Sequence, residues 1–177
     1  MPLYGGVARN WVTMKIKKYK KRRVFALLFG HWVAWHTSHT LAGPQGGQVV
    51  AGTGRISTSG TTTTIQQSTP NLSLSWDKFN VMAQETVNFV QPSSSAVAVN
   101  RIFDANGSQI MGHINANGQV FLINPNGVLF GKDAVLNVGA LVASTLDIND
   151  INVNSSTRAF SGSGAGQVIN LGVITAE

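Results

Sequence analysis

Two nonapeptides in this chain share one frame. Val135-Leu136-Asn137-Val138-Gly139-Ala140-Leu141-Val142-Ala143 returns as Val168-Ile169-Asn170-Leu171-Gly172-Val173-Ile174-Thr175-Ala176, at an offset of 33 residues (168 − 135). Val, Asn, Gly and the final Ala coincide, and Leu/Ile or Val/Leu exchange at three other positions. Self-similarity at such a spacing marks an architecture of stacked repeats, each burying its apolar face against the next. An ordinary sandwich or helical bundle has no reason to repeat itself in this way.

The segment Asn117–Thr145 shows what one repeat is made of. Its apolar runs Val120–Ile123, Val128–Phe130, Ala134–Val138 and Leu141–Ala143 are short, and Asn, Gly, Pro and Lys-Asp separate them. Runs of this length between turn formers predict buried strands rather than helices. At the centre stands Asn124-Pro125-Asn126-Gly127. Pro125 pre-sets φ for the first inner position of a type I turn, Asn124 can bond the backbone two residues on, and Gly127 can take positive φ without steric cost. The tetrapeptide is expected to be a rigid corner.

Charge separates the chain into two parts. Residues 1–42 carry eight of the thirteen basic groups and no acid; the remaining 135 residues carry five basic groups against seven acids, a balance of −2. The high pI therefore belongs to the N-terminus, and no nucleic-acid partner is expected. A basic cluster, Lys15 to Arg23, precedes the apolar run Val24–Trp35, and Thr40-Leu41-Ala42 offers a cleavage site before Gly43. A run of about twelve residues is too short for a bilayer span of roughly twenty but suits a secretory signal. Residues 1–42 are thus read as an extended signal peptide handled by the inner-membrane secretion machinery, with residues 43–177 as the exported domain. His31, His36 and His39 would leave with the signal and are not taken as metal ligands. The chain lacks cysteine. That suits a protein crossing a second membrane unfolded, and equally one whose core needs no staples.

Along the exported part, Gly43 to Thr69 is rich in Gly, Thr, Ser and Gln, with Val49, Val50 and Ile56 as its apolar anchors; Thr61–Thr64 suits an edge strand. From Leu72 the alternation is clean, with Leu72, Leu74 and Trp76 on one face and Ser73, Ser75 and Asp77 on the other. Asn106-Gly107, Asn117-Gly118 and Asn126-Gly127 mark turns that fit hairpins or solenoid corners. The polar segment Asp147 to Ser163 is expected to loop off the main stack. The repeat still running at Glu177 suggests a piece of a longer protein.

The residues Gln84–Ser95 and Gly118–Thr145 resemble the filamentous haemagglutinin family, the exoproteins of bacterial two-partner secretion; the resemblance covers roughly Gln45 to Glu177. Two turn motifs mark the family's secretion domain. One stands here as Asn124-Pro125-Asn126-Gly127. The other reads Asn-Pro-Asn-Leu in the family and is Thr69-Pro70-Asn71-Leu72 here, where a Thr hydroxyl can still cap the turn. The resemblance implies an all-β fold, a right-handed parallel β-helix opened by an N-terminal cap. It implies a cognate outer-membrane transporter, whose periplasmic domains read the capped domain, and export through the periplasm to the medium or the cell surface. A host-cell or glycan receptor would belong to the full-length protein. In such a helix Asn137 and Asn170 are expected to stack, with ladder bonds of roughly 1 kcal/mol each.

The rival is a carbohydrate-active or carbohydrate-binding β-helix. Such enzymes need clustered acids, yet Glu85, Asp104, Asp133, Asp147 and Asp150 are scattered, and His113 is the one histidine after residue 42. No catalytic, metal or cofactor residue is assigned.

Overall fold

The computed structural model describes residues 43–149 and 158–177. Ala42 and the rest of the expected signal lie outside the described residues, and Gly43 is the first of them.

The chain runs through β1 (Gln48–Ala51), β2 (Gly54–Ser59), β3 (Thr62–Gln67), β4 (Asn71–Trp76), β5 (Thr86–Val90) and β6 (Val97–Ile102). It continues through β7 (Ser108–Ile110), β8 (His113–Ala116), β9 (Gln119–Ile123), β10 (Val128–Phe130) and β11 (Val135–Val138). The last elements are β12 (Ala140–Ser144), β13 (Asp147–Ile148), β14 (Phe160–Ser161), β15 (Val168–Asn170) and β16 (Val173–Ala176). The described residues contain no helix.

Three sheets are built by winding. One has the order β1-β4-β6-β9-β12, the second β16-β11-β8-β5-β3-β2 and the third β15-β10-β7. Each later coil gives one strand to each sheet, the first giving the third sheet only the Val81–Ile110 bridge, and coil stacks on coil through parallel pairs. Among the described residues, antiparallel pairing is confined to β1–β4, β2–β3 and the Gln45–Lys78 bridge at the N-terminal end and to β13–β14. The result is a parallel β-helix of about three turns with an N-terminal cap. Covering the first coil matters, because an open solenoid end offers unpaired strand edges to any other chain.

The interior is filled by alternate residues of strands β3 to β11. Leu72, Leu74 and Trp76 of β4 meet Val87 and Phe89 of β5, Val120 and Leu122 of β9, and Phe130 of β10 in one cluster. Each such side chain contributes about 1.5–3 kcal/mol of burial. Asn100 lies among them at 0% exposure, accepting from the Trp76 indole at 3.0 Å and donating to Phe121 O at 3.2 Å. A buried amide is tolerated there because both of its ends are bonded.

The 33-residue offset is not the register of the stack. Val135 pairs with His113 below and Val173 above, while Val168 pairs with Val128. The two nonapeptides thus begin on different sheets, β11 in the six-stranded one and β15 in the three-stranded one. They look alike because both read as strand, glycine corner, strand, a local chemistry that recurs around a coil as well as along the stack. Asn137 and Asn170 accordingly do not stack. The asparagine ladder exists with other members: Asn115 donates to Asn88 at 3.0 Å, and Asn137 reaches Asn115 at a long 3.5 Å. Asn170 instead accepts from the Gly172 amide at 3.0 Å.

Two expectations for the cap also change. The strand at Thr62–Gln67 lies inside its sheet between β2 and β5, so β2 is the edge. Val49 and Val50 are exposed and only Ile56 packs on the core.

The polar excursion after Thr145 does leave the stack, and it returns to cover it. Ile148 of β13 and Phe160 of β14 lie on Val97 and Val99 of β6 and Phe121 and Ile123 of β9, a second apolar cluster outside the coil. Val97–Val99 and Val120–Ile123 are therefore covered on both faces, which is why each reads as an unbroken apolar run. Arg101 fastens the excursion, donating to Asp147 at 2.8 Å and to Ile148 O at 2.6 Å, with Ser73 as a further acceptor.

Candidate functional site

The corner at residues 124–127 links β9 to β10. Gly127 N donates to Asn124 O at 2.9 Å, closing the turn, and Asn126 N donates to Asn124 Oδ1 at 2.9 Å, the side-chain bond expected two residues on. Gly127 has φ +105°, and a Cβ there would lie 2.6 Å from Gln167 O. Only glycine fits both the backbone and the space. Asn124 is fully buried, and its amide group donates to Asn106 O at 3.2 Å and Ser108 Oγ at 3.0 Å on the preceding coil. Asn126 reaches the same coil, donating to Asp104 O at 2.7 Å. On the other side Gly166 N donates to Pro125 O at 3.0 Å. The corner is clamped between two coils.

The corner at residues 69–72 links β3 to β4 and is held differently. Thr69 Oγ1 donates to Asn71 O at 2.7 Å and accepts from Thr53 N at 2.9 Å, so the hydroxyl does cap this turn and ties it to the cap loop. Its carbonyls are gathered by Gln67, whose Nε2 donates to Thr69 O at 2.7 Å, Pro70 O at 3.1 Å and Val97 O at 3.1 Å. Gln91 stacks on Gln67 from the next coil at 3.1 Å and donates to Ala96 O and Gln119 O. Leu72 is buried in the core at 1% exposure.

The two motifs are not brought together. Both border the five-stranded sheet, but the first precedes β4 and the second follows β9, so they stand at opposite ends of its strands and on different coils. Gln67 and Gln91 escaped the sequence reading. Each stands at the end of a strand before a proline-containing turn, a position that marks the turn but not the stacking of one side chain on the other across coils.

Of the five acids weighed for a polysaccharide-active site, three have partners of their own and Asp150 lies outside the described residues. Asp104 accepts from Asn106 within its own turn, Asp147 pairs with Arg101, and Asp133 pairs with Lys132 on the surface. His113 is exposed. Among the described residues no three His, Cys, Asp or Glu side chains cluster as a metal site.

With this geometry in view, the decisive match is to the TPS secretion domain, over residues 41–176. The chain belongs to the TPS secretion domain family. A heme/hemopexin-binding protein of Haemophilus influenzae is 42% identical over 113 residues, 64% of this chain and 12% of that protein. A second heme/hemopexin-binding protein from the same species is 40% identical over 118 residues, 66% of this chain and 13% of its own length. The chain thus spans about an eighth of these relatives. The crystal structure of the HMW1 secretion domain from Haemophilus influenzae superposes with a TM-score of 0.70 at 37% identity, covering 76% of this chain and 37% of that one. TPS secretion domains are a family of exoprotein secretion domains, not an enzyme family, and their exoproteins are secreted or displayed on the surface.

Proposed function

We propose that this TPS domain is the targeting part of a longer exoprotein, exported to the periplasm by a signal spanning residues 1–42. There the periplasmic domains of a cognate outer-membrane transporter read it, and outside the cell its capped coils seed the folding of further coils. The observation that carries the reading is the family match over residues 41–176, joined to a cap and coil stack of matching geometry. The match begins beside Ala42 and Gly43, which supports a cut between them. The domain performs no catalysis, and it binds no nucleic acid given its −2 balance. Receptor binding, whether of a host cell, a glycan or a haem carrier as in the two relatives, belongs to the longer protein.

The corners 69–72 and 124–127 act in export by setting the surface that the transporter meets. The test is co-expression with the cognate transporter, comparing protein in medium and periplasm. Gly127→Val and Asn124→Ala are expected to accumulate in the periplasm. The exposed Lys132→Ala is expected to export like the parent, since surface changes usually stay within about 0.5 kcal/mol. Normal export of both corner variants, or an equal defect in Lys132→Ala, would refute the role of the corner.

A further inference from the structure

Gly43 and Glu85 meet at the capped end of the stack. Glu85 closes the corner before β5, where its amide donates to Met82 O at 2.8 Å and its Oε2 accepts from Met82 N at 2.7 Å. The residue is 8% exposed, and among the described residues its carboxylate has no other hydrogen bond and no cation. Among these residues its Oε1 makes no hydrogen bond, and it keeps some contact with solvent, so a donor entering from that side can reach it. The free oxygen faces Gly43: a Cβ placed there would lie 3.6 Å from Oε1 and 3.8 Å from Oε2. The Gly43 nitrogen is about 2.5 Å from that position by backbone geometry, which puts it within roughly 6 Å of the carboxylate. Both residues border a cavity of about 220 Å³ that Pro44, Thr61 and Thr86 also line.

We propose that Glu85 is the receptor for the α-ammonium group of Gly43, created when the signal is removed; this rests on the cleavage reading above. Hydrolysis adds water across the Ala42–Gly43 peptide bond, leaving a carboxylate on Ala42 and an amine on Gly43 that takes up a proton. Before the cut the nitrogen is a neutral amide. After it a positive charge stands within reach of a buried acid, and opposite charges at about 4–6 Å stabilise one another. The site is a pocket for an N-terminal amine, a known mode of terminus recognition, whose ligand is the chain's own new end. Gln45 already joins the cap to the first coil, donating to Lys78 O at 2.8 Å and accepting from Asp77 N at 3.0 Å. The new ion pair fastens the two residues ahead of that point, so the cap is completed by processing.

The test uses the exported protein. Its N-terminus is sequenced, its α-amine is selectively acetylated, and thermal unfolding is compared for parent and Glu85→Gln, each with free and acetylated ends. Gln keeps an oxygen for the Met82 amide, so the corner is retained. Acetylation is expected to lower the parent's melting temperature by about 4 °C and to leave the variant within about 1 °C. The folded parent should also acylate several-fold more slowly than Glu85→Gln. Equal shifts in both proteins with a Gly43 terminus overturn the pairing alone. A terminus elsewhere overturns the cleavage reading, and the pairing with it.

Discussion

The two corners share a pattern, proline second and asparagine third before an apolar strand, yet they are held by different means. At residues 124–127 the turn's own residues supply the bonds: Asn124 and Asn126 reach the coil before, and Gly127 alone fits its backbone and its space. At residues 69–72 the bonds come largely from outside the motif, from Gln67 and, through it, Gln91. Position in the stack explains the contrast. The later corner has a coil on each side, so Asn124 and Gly127 are buried and the Asn124 amide must be bonded along the stack. The earlier corner borders the cap, where Thr69 is bonded to a loop rather than to a full coil. A tetrapeptide pattern therefore specifies a turn, while its place in the stack decides which residues the turn depends on.

The contrast should break most visibly at Gly127. Gly127→Val combines a left-handed backbone with a Cβ pressed on Gln167 O, and the strain is on the order of 3 kcal/mol. Calorimetry should then show a melting temperature lower by roughly 9 °C, at about 2–4 °C per kcal/mol in a domain of this size. A loss under about 3 °C would mean that this corner relaxes as freely as the other.

Gln91→Ala tests support from outside the motif. It strips donors from Ala96 O, Gln119 O and Gln67, for a loss of about 2 kcal/mol. Amide exchange should accelerate at Val97, which donates to Pro70 O, and stay unchanged at Gly127. Acceleration at both corners would show that the stack transmits the damage and that the two are not independent.

Thr69 is expected to matter least. Thr69→Ala removes two hydroxyl bonds at an exposed corner and should cost about 1 kcal/mol by denaturant titration. Thr69→Asn should stay within about 0.5 kcal/mol of the parent, as an amide can accept from Thr53 N and cap the turn in its place. A larger loss in Thr69→Asn than in Thr69→Ala would show that the hydroxyl is specifically required here.

Much of this fold was legible because strands and turns declare themselves locally. Val120–Ile123, Val128–Phe130 and the turn between them stand where their residues place them, and the positive φ of Gly127 follows from its position in that turn. Register was harder. The match of Val135 to Val168 compared two faces of a coil, whereas Val135 pairs with Val173, 38 residues on (173 − 135). Excursions of variable length defeat any fixed period. The buried glutamines were missed for a related reason, since Gln67 and Gln91 gain their meaning by stacking across coils. Their own neighbours in sequence say little about it.

The excursion between β12 and β15 has a practical consequence. The sheet at its root continues undisturbed: β10 pairs with β15 residue for residue, although twenty-three residues separate Ser144 from Val168. Closing a longer loop costs only about 0.6 kcal/mol per doubling of its length. Between β11 and β12, by contrast, a single residue, Gly139, makes the corner, and its Cβ would lie 2.9 Å from Gly118 O. A foreign peptide or reporter inserted between residues 149 and 158 should leave the coil register intact, whereas one added at Gly139 would unwind it.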